Sequence, residues 1–412
     1  MPEQTCAVIL AGGEGKRMKS NHPKVLASVL FKPMLQWVMD AAEGAGVREL
    51  CVVTGHKHEQ VEAYLQAAEK AGGARLHHVL QAEQHGTGHA VMMAEPFLRA
   101  HSGGNTLILN GDAPFVSAEV LEAALGAHVC NGNAVTVITA ELDDPSGYGR
   151  IVRDPSTGLV RAIVEQKDAD EATLAVREIN SGAYWFRTDD LLSILGSIRN
   201  DNAQGEYYLT DAVRLLIEQN KNAGAYIASD PAAVMGANDC VQLNALNEIA
   251  RARILHAQML AGVEIPCTDG VLIGPDVSIG RSTRILPNTI LRGNTAVGAD
   301  CTIGPSVVLT DCTVGDGASL CFASCERTNI SASQAVVPFT VIGNSWPGHS
   351  KRERVTQNIG GSKNEFSWQG HQDFCRKRQP AHGKADFGVP GIVHGQERGR
   401  HVQRRGNLGF AL

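Results

Sequence analysis

Ala7-Val8-Ile9-Leu10 runs directly into Ala11-Gly12-Gly13-Glu14-Gly15-Lys16-Arg17-Met18-Lys19-Ser20-Asn21-His22-Pro23-Lys24. A short apolar run that ends in a glycine-rich, basic loop reads as a buried strand opening onto a phosphate. Gly12, Gly13 and Gly15 let backbone N–H groups approach phosphate oxygens closely. Arg17 and Lys24 add two cations for a polyphosphate. The spacing is neither G-x-G-x-x-G nor G-x-x-x-x-G-K-[ST], which excludes a dinucleotide fingerprint and a Walker loop on the letters. The same letters also suit an ordinary strand-to-helix glycine turn. Other segments have to decide between the two.

Outward from this loop, residues 1 to 230 alternate apolar runs with helical stretches. Ala7–Leu10, Leu50–Thr54, Leu76–Val79, Thr106–Leu109 and Ala134–Ala140 read as strands. Met34–Ala45 and His58–Ala71 read as helices. The alternation predicts an α/β layered domain with a mostly parallel, Rossmann-like sheet. A helical arm is expected over 231–262, with apolar residues every three to five positions from Asn238 through Leu243, Leu246 and Ile254 to Met259.

The period then changes to six. Ile273, Ile279, Ile285, Leu291, Val297, Ile303 and Leu309 keep this spacing without a gap, and Gly274, Gly280, Gly298 and Gly304 directly follow four of them. A strict hexad is the repeat of a β-solenoid, whose units bury their apolar side chains only against stacked neighbours. It resembles the left-handed parallel β-helix, three hexads to a triangular coil, over residues 263–343. The register slips near Val314 and Leu320 and returns at Ile330, Val336 and Ile342.

Composition sets outer bounds. The chain has 412 residues, 43% hydrophobic and 19% charged, with net charge −6, which is ordinary for a globular protein and unlike a general nucleic-acid binder. No run approaches a membrane span and no signal peptide is legible at Met1–Thr5, so a cytoplasmic location is expected. The ten cysteines are scattered without zinc-type spacing, as in a reduced compartment. Residues 344–412 differ from the rest. They are rich in Gly, Gln, Arg and His and poor in aliphatics, a basic tail predicted not to build a core.

Two further segments carry chemistry. Gln81-Ala82-Glu83-Gln84-His85-Gly86-Thr87-Gly88-His89-Ala90 sets an amide before a tight Gly-Thr turn, a set that can face a base edge. Leu107-Ile108-Leu109-Asn110-Gly111-Asp112 is an apolar strand ending in Asn-Gly-Asp. Ligands of open α/β sheets bind beyond the carboxyl ends of the strands, where Asp112 would meet a metal-bound phosphate. Gly147-Tyr148-Gly149-Arg150, Val164-Glu165-Gln166-Lys167, Glu178-Ile179-Asn180-Ser181-Gly182 and Asn238-Asp239 follow.

The opening loop resembles the L-x-x-G-x-G-x-R-[ML]…P-K signature of sugar-nucleotide pyrophosphorylases. Residues 5 to 343, through the phrases Leu80–Ala90, Asp143–Arg150 and Asn202–Asp211, resemble one bacterial family more closely. It is the bifunctional N-acetylglucosamine-1-phosphate uridylyltransferase/glucosamine-1-phosphate acetyltransferase family of cell-wall synthesis. That resemblance implies a bacterial enzyme that moves UMP from UTP to N-acetylglucosamine-1-phosphate with Mg²⁺, assembled as a homotrimer through its β-helix. It assigns nucleotide binding to Leu10, Ala11, Gly12, Gly13 and Lys24. It gives uracil reading to Gln81, Gly86 and Thr87, and places Asn110, Gly111 and Asp112 at sugar and metal. Gly149, Glu165 and Asn180 would grip the sugar, Asn238 would join Asp112 on Mg²⁺, and Arg17 would bind the departing phosphates. Catalysis would then rest on Arg17, Lys24 and Asp112.

The pattern breaks at the end of the β-helix. Val336-Val337-Pro338-Phe339 begins like the family's V-G-P-F-x-x-L-R-P-G run, but Gly343-Asn344-Ser345 stands where Arg-Pro-Gly is expected. The family's later acetyltransferase segments have no counterpart in the sequence, so acetyl transfer is expected to be lost, as after a frameshift. Two rival readings keep less of the resemblance: a nucleotidyltransferase for glucose- or mannose-1-phosphate, and a non-catalytic sugar-nucleotide sensor.

Overall fold

The computed structural model describes residues 4–343, and the basic tail expected over 344–412 lies outside them. The first unit is a nine-stranded mixed sheet. Its strands are β1 (Thr5–Leu10), β2 (Glu49–Thr54), β3 (Arg75–Leu80), β4 (Asn105–Asn110), β5 (Val135–Glu141), β6 (Arg150–Arg153), β7 (Val160–Val164), β8 (Glu178–Arg187) and β9 (Ala223–Ile227). The spatial order is β9-β5-β8-β4-β1-β2-β3, with β6 bridging β8 to β7. The β1, β2, β3 and β4 pairings are parallel, and so is β9 with β5. Strand β8 runs against β4 and β5, and β6 runs against both β8 and β7.

The five strands read from the sequence are all present. Val8, Val53 and Ile108 enter one apolar cluster and Ile9, Val52 and Leu107 the other, so the sheet is covered on both faces. Both-face burial is why these strands read as unbroken apolar runs and not as alternating ones. The helices α1 (Met34–Gly44) and α2 (His58–Ala71) also lie where the sequence places them.

Helix α3 (Cys240–Leu260) forms the arm, capped by the Asp239 side chain on the Gln242 N–H. Leu246 and Ala250 pack against Val29, Met34 and Phe115 of the sheet unit. Further along, Leu255 enters the core of the coils.

The coils carry three parallel sheets, one per side of a triangle, as in a short left-handed β-helix. Along one side Ile273, Leu291, Leu309 and Cys325 stack inward in register, and Ile342 continues the ladder at an exposed position. Residues in left-handed backbone turn the corners, among them Ser282, Asn288, Asp300 and Ser306, each three positions before an inward side chain. Short polar residues tolerate that conformation better than bulky ones. The register slip is three turns that are each a residue short, at Leu309–Val314, Leu320–Cys325 and Cys325–Ile330. Val314 and Leu320 are buried and pair with Val297 and Ile303, so both stay in the ladder. The place missing from the sequence pattern is Cys325, a buried thiol acting as a small hydrophobe.

Candidate active site

Strands β1 and β4 end side by side, with Leu10 opposite Asn110. The chain therefore delivers the 11–15 loop and Asn110-Gly111-Asp112 to one point above the sheet. Gly111 donates its N–H to the Leu10 carbonyl at 2.9 Å.

The glycines of the first loop do different jobs. A Cβ on Gly12 would stand 3.0 Å from Gln81 Oε1, and one on Gly15, whose φ is +61°, would stand 2.9 Å from Lys24 Cβ. Those two are glycines because side chains press on them. A Cβ on Gly13 meets nothing within 4 Å, so Gly13 is the open face of the loop. Ala11 is tied down by its N–H to the Val53 carbonyl at 2.9 Å.

Lys24 Nζ donates to Asn238 Oδ1 at 2.9 Å and ion-pairs with Asp112. The Asp112 side chain is half-buried. Asn238 is held from behind, because its backbone N–H donates to Gln242 Oε1 at 2.7 Å. One carboxylate and one amide oxygen thus converge on a single cationic group. That is an oxygen donor pair suited to a hard dication. Among the described residues no group of three or more His, Cys, Asp or Glu could hold a metal. A dication here would have to complete its shell with phosphate and water oxygens.

A cavity of about 580 Å³ opens beside this cluster. Leu10, Arg17, Thr87, Asn110, Asp112, Gly149, Glu165, Asn180 and Asn238 all line it. Ala11, Gly12, Gly13, Lys24, Gln81, Gly86 and Gly111 do not, and form the neighbouring loops instead. Further lining residues, given no role from the sequence, include Tyr184, Thr210 and Gln242.

In the cavity wall Thr210 Oγ1 donates to Glu165 Oε1 at 3.3 Å. Burial holds the Glu165 carboxyl above its usual range; the Thr210 hydroxyl opposes the rise, and Asp168, Asp211 and Glu206 add to it. Asn180 Nδ2 donates to the buried Tyr184 hydroxyl at 2.6 Å, and Asn180 Oδ1 accepts the Gly182 N–H at 3.0 Å. These bonds sit in a bulge, where the β8–β5 register shifts between Asn180 and Ala183. Bulges re-aim side chains, and this one turns Asn180, Ser181 and Gly182 into the cavity.

The Gln81–Ala90 and Asn202–Asp211 phrases are knitted together. Gly88 N–H donates to the Tyr207 carbonyl at 2.7 Å, Tyr207 N–H to the His85 carbonyl at 2.8 Å, and Leu209 N–H to Thr87 Oγ1 at 3.1 Å. Gln81 is buried, and its Nε2 donates to the Gly86 carbonyl at 3.1 Å, which leaves the Oε1 edge facing Gly12.

The chain can now be set beside known proteins. The family described as Nucleotidyl transferase matches residues 6–250, and Bacterial transferase hexapeptide (six repeats) matches residues 276–311. A "Bifunctional protein GlmU" from Caldanaerobacter subterraneus subsp. tengcongensis is 43% identical over 340 residues, 82% of this chain and 72% of that protein. One from Streptomyces avermitilis is 42% identical over 335 residues, 81% of this chain and 69% of that protein. A solved structure described as a putative glucose-1-phosphate thymidylyltransferase from Bacillus anthracis, in complex with a sucrose, superposes with a TM-score of 0.51 at 19% identity. It covers 60% of this chain and 95% of its own, and shares the fold. No described helix is long and apolar enough to cross a membrane. With a nucleotidyl transferase unit, a helical arm and hexapeptide coils in that order, the chain belongs to the GlmU family of bifunctional proteins.

Proposed function

We propose that this protein transfers UMP from UTP to N-acetylglucosamine-1-phosphate, releasing pyrophosphate and UDP-N-acetylglucosamine for cell-wall precursors. The observation that carries this reading is the convergence of Lys24, Asp112 and Asn238 beside a cavity that Glu165 and Asn180 also line. A sugar phosphate would set its phosphate at the cationic cluster and its hydroxyls against Glu165 and Asn180. A phosphate oxygen of the sugar attacks the α-phosphorus of UTP, a bond to pyrophosphate breaks in line, and no side-chain nucleophile is needed. Lys24 and Arg17 face the phosphates, and Asn110, Gly149, Glu165 and Asn180 face the sugar. Asp112 and Asn238 would hold Mg²⁺, which would neutralise charge on the transferring phosphate. The Ala11–Gly13 loop, Gly111 and the Gly86-Thr87 turn shape the nucleotide side.

Base choice follows from Gln81. Its amide nitrogen is engaged by Gly86, so Oε1 remains to accept, and uracil offers an N3–H flanked by two carbonyls. Purified chain with Mg²⁺ should release pyrophosphate from UTP and N-acetylglucosamine-1-phosphate, and prefer UTP over ATP by on the order of a hundredfold. Equal rates with ATP would overturn the base assignment; pyrophosphate release with glucose-1-phosphate alone would move the reading to a sister substrate. UTP binding without pyrophosphate release would favour a sensor.

Glu165 should leave a mark on the pH profile. Its acid form persists above the ordinary glutamate range near ~4.3, and the carboxylate accepts a sugar hydroxyl more strongly than the acid does. kcat/KM for the sugar phosphate should therefore rise with pH through that elevated pKa. Glu165→Gln should lose the acidic limb together with roughly tenfold of kcat/KM. A limb that persists in Glu165→Gln assigns it to another group.

The assembly we propose is a homotrimer through the coils, in the bacterial cytoplasm, with residues 1–230 as the transferase unit, 231–262 as the arm and 263–343 as the β-helix. About four stacked coils satisfy the need of solenoid repeats for neighbours. Light scattering at micromolar concentration should give three chains per particle, and a monomer would remove trimerisation from the reading. Acetyl transfer is not included, because Gly343 stands where the family's arginine is expected and no later acetyltransferase segment is legible in the sequence.

A further inference from the structure

The phosphate end of the site is tied to the coils by a turn that no step of the reaction uses. Leu30 and Phe31 are consecutive residues with φ of 42° and 70°. Ser28–Val29 and Lys32–Pro33 pair antiparallel on either side of them. A two-residue hairpin asks for left-handed backbone at both centres, and Asn-Gly is its favoured sequence. Leucine and phenylalanine are strained there, and such strain persists only where the surroundings over-determine it.

The surroundings that do so come from the arm and the coils. Asn247 of α3 accepts the Leu30 N–H at 2.9 Å. The Phe31 ring lies under Arg292, whose guanidinium is 5.9 Å from its centroid. The ring also lies beside Gly274, where a Cβ would make an ordinary 3.6 Å contact with Phe31 Cδ2. Lys32 Nζ reaches Asp276 of the first coil at 2.6 Å and Asp40 of α1 at 2.8 Å.

Upstream, the chain runs straight to the site. Ala27 N–H donates to the Lys24 carbonyl and Met34 N–H to the Ala27 carbonyl, both at 3.0 Å, so the path from Lys24 to the hairpin is fixed. Asn238 hangs from the same frame, because it immediately precedes the Asp239 cap of α3. That helix holds Leu30 at Asn247 and sinks Leu255 into the coil core. Both groups that face Asp112 are thus suspended from elements that the coils clamp.

We propose that the Leu30-Phe31 turn is a strained latch through which Asp276, Arg292 and Asn247 position Lys24 and Asn238 against Asp112, so that the first coils set the rate of uridylyl transfer. This rests on the uridylyltransferase reading. Asp276, Phe31 and Asn247 are positioning residues in this scheme, since none reaches the cavity beside Asp112.

The test compares the full chain with Asp276→Asn, Phe31→Gly and Asp276→Glu. Phe31→Gly removes the ring contact and also relieves the backbone, so it is not expected to unfold the protein. Turnover at saturating substrates should fall roughly tenfold in the first two variants while KM for the sugar phosphate stays within about twofold. Amide exchange of peptides spanning residues 24–34 should accelerate, and Asp276→Glu should restore both readouts. Unchanged turnover in both variants overturns the latch, as does exchange accelerated across the whole transferase unit. A wild-type chain without turnover overturns the uridylyltransferase reading instead. The latch is then decided by exchange alone, and unaltered exchange at 24–34 overturns it.

Discussion

Asp112→Ala should lower turnover on the order of 10²-fold or more, because it deletes the carboxylate that ion-pairs with Lys24, whose ammonium also donates to Asn238. The loss has two parts. The proposed metal loses its only charged protein ligand, and Lys24 loses the partner that fixes its ammonium. Asp112→Asn keeps the volume and a hydrogen-bonding oxygen but not the charge, and should fall nearly as far. Neither variant should unfold. The carboxylate sits at a strand end, outside the apolar clusters, and its side chain is 22% exposed. Steady-state rates at saturating UTP and sugar phosphate, taken over a Mg²⁺ series and beside a thermal melt, decide the matter. Near-normal turnover at low Mg²⁺ would remove Asp112 from the metal and phosphate chemistry.

Much of this arrangement is legible in the letters, for reasons that differ by element. Strands β1, β2 and β4 read easily because both faces are buried, which writes a continuous apolar run. The hexads read easily because a solenoid corner repeats at a fixed interval and each side must bury one residue. Cys325 escaped because three turns are a residue short, two of them flanking it, and a thiol does not look aliphatic. The acidic and basic motifs read well because phosphate chemistry needs charge at strand ends, and strand ends are marked by Gly, Asn and Asp.

What the letters hide is mostly partnership. Strand β8 carries an antiparallel register that no local pattern announces, and its bulge breaks the alternation a strand would show. Tyr184 stands in an apolar run and reads as core, yet its hydroxyl is the partner of Asn180. Gln242 acts on Asn238 through a backbone N–H, so nothing about its own neighbours marks it. Gly12 and Gly15 were legible as phosphate-loop glycines, whereas the structure gives them a packing reason: Gln81 and Lys24 press on them. The Leu30-Phe31 turn is the extreme case, since its sequence argues against the conformation it adopts and only distant residues account for it.

Gly182→Ala should be the most damaging single methyl group in the sugar half of the site. Gly182 has φ of +77°, a region L-residues rarely adopt, and a Cβ built there overlaps Asn110 Nδ2. Asn110 cannot swing far, because its short side chain rides on the last residue of β4, paired with Leu10. The methyl group therefore expels the Asn110 amide or flattens the bulge. Flattening breaks the Gly182 N–H to Asn180 Oδ1 bond of 3.0 Å, and strains the Ser181 hydroxyl that bonds the Ile138 carbonyl at 2.6 Å. Both routes misplace Asn110 and Asn180 together, beside Asp112. A displacement near an ångström in such a site costs on the order of 10²-fold, so kcat/KM for the sugar phosphate should drop by about that factor. UTP affinity should hold, since the Gly86-Thr87 turn is anchored to residues 207–209 and not to the bulge. Calorimetric UTP binding beside initial rates separates the two effects. The cause is tested by Asn110→Ala/Gly182→Ala. With the amide gone the added methyl group has room, so the second substitution should cost little on top of the first, a non-additivity expected only of residues in contact. Strictly additive losses would mean that the bulge and Asn110 act on the sugar independently.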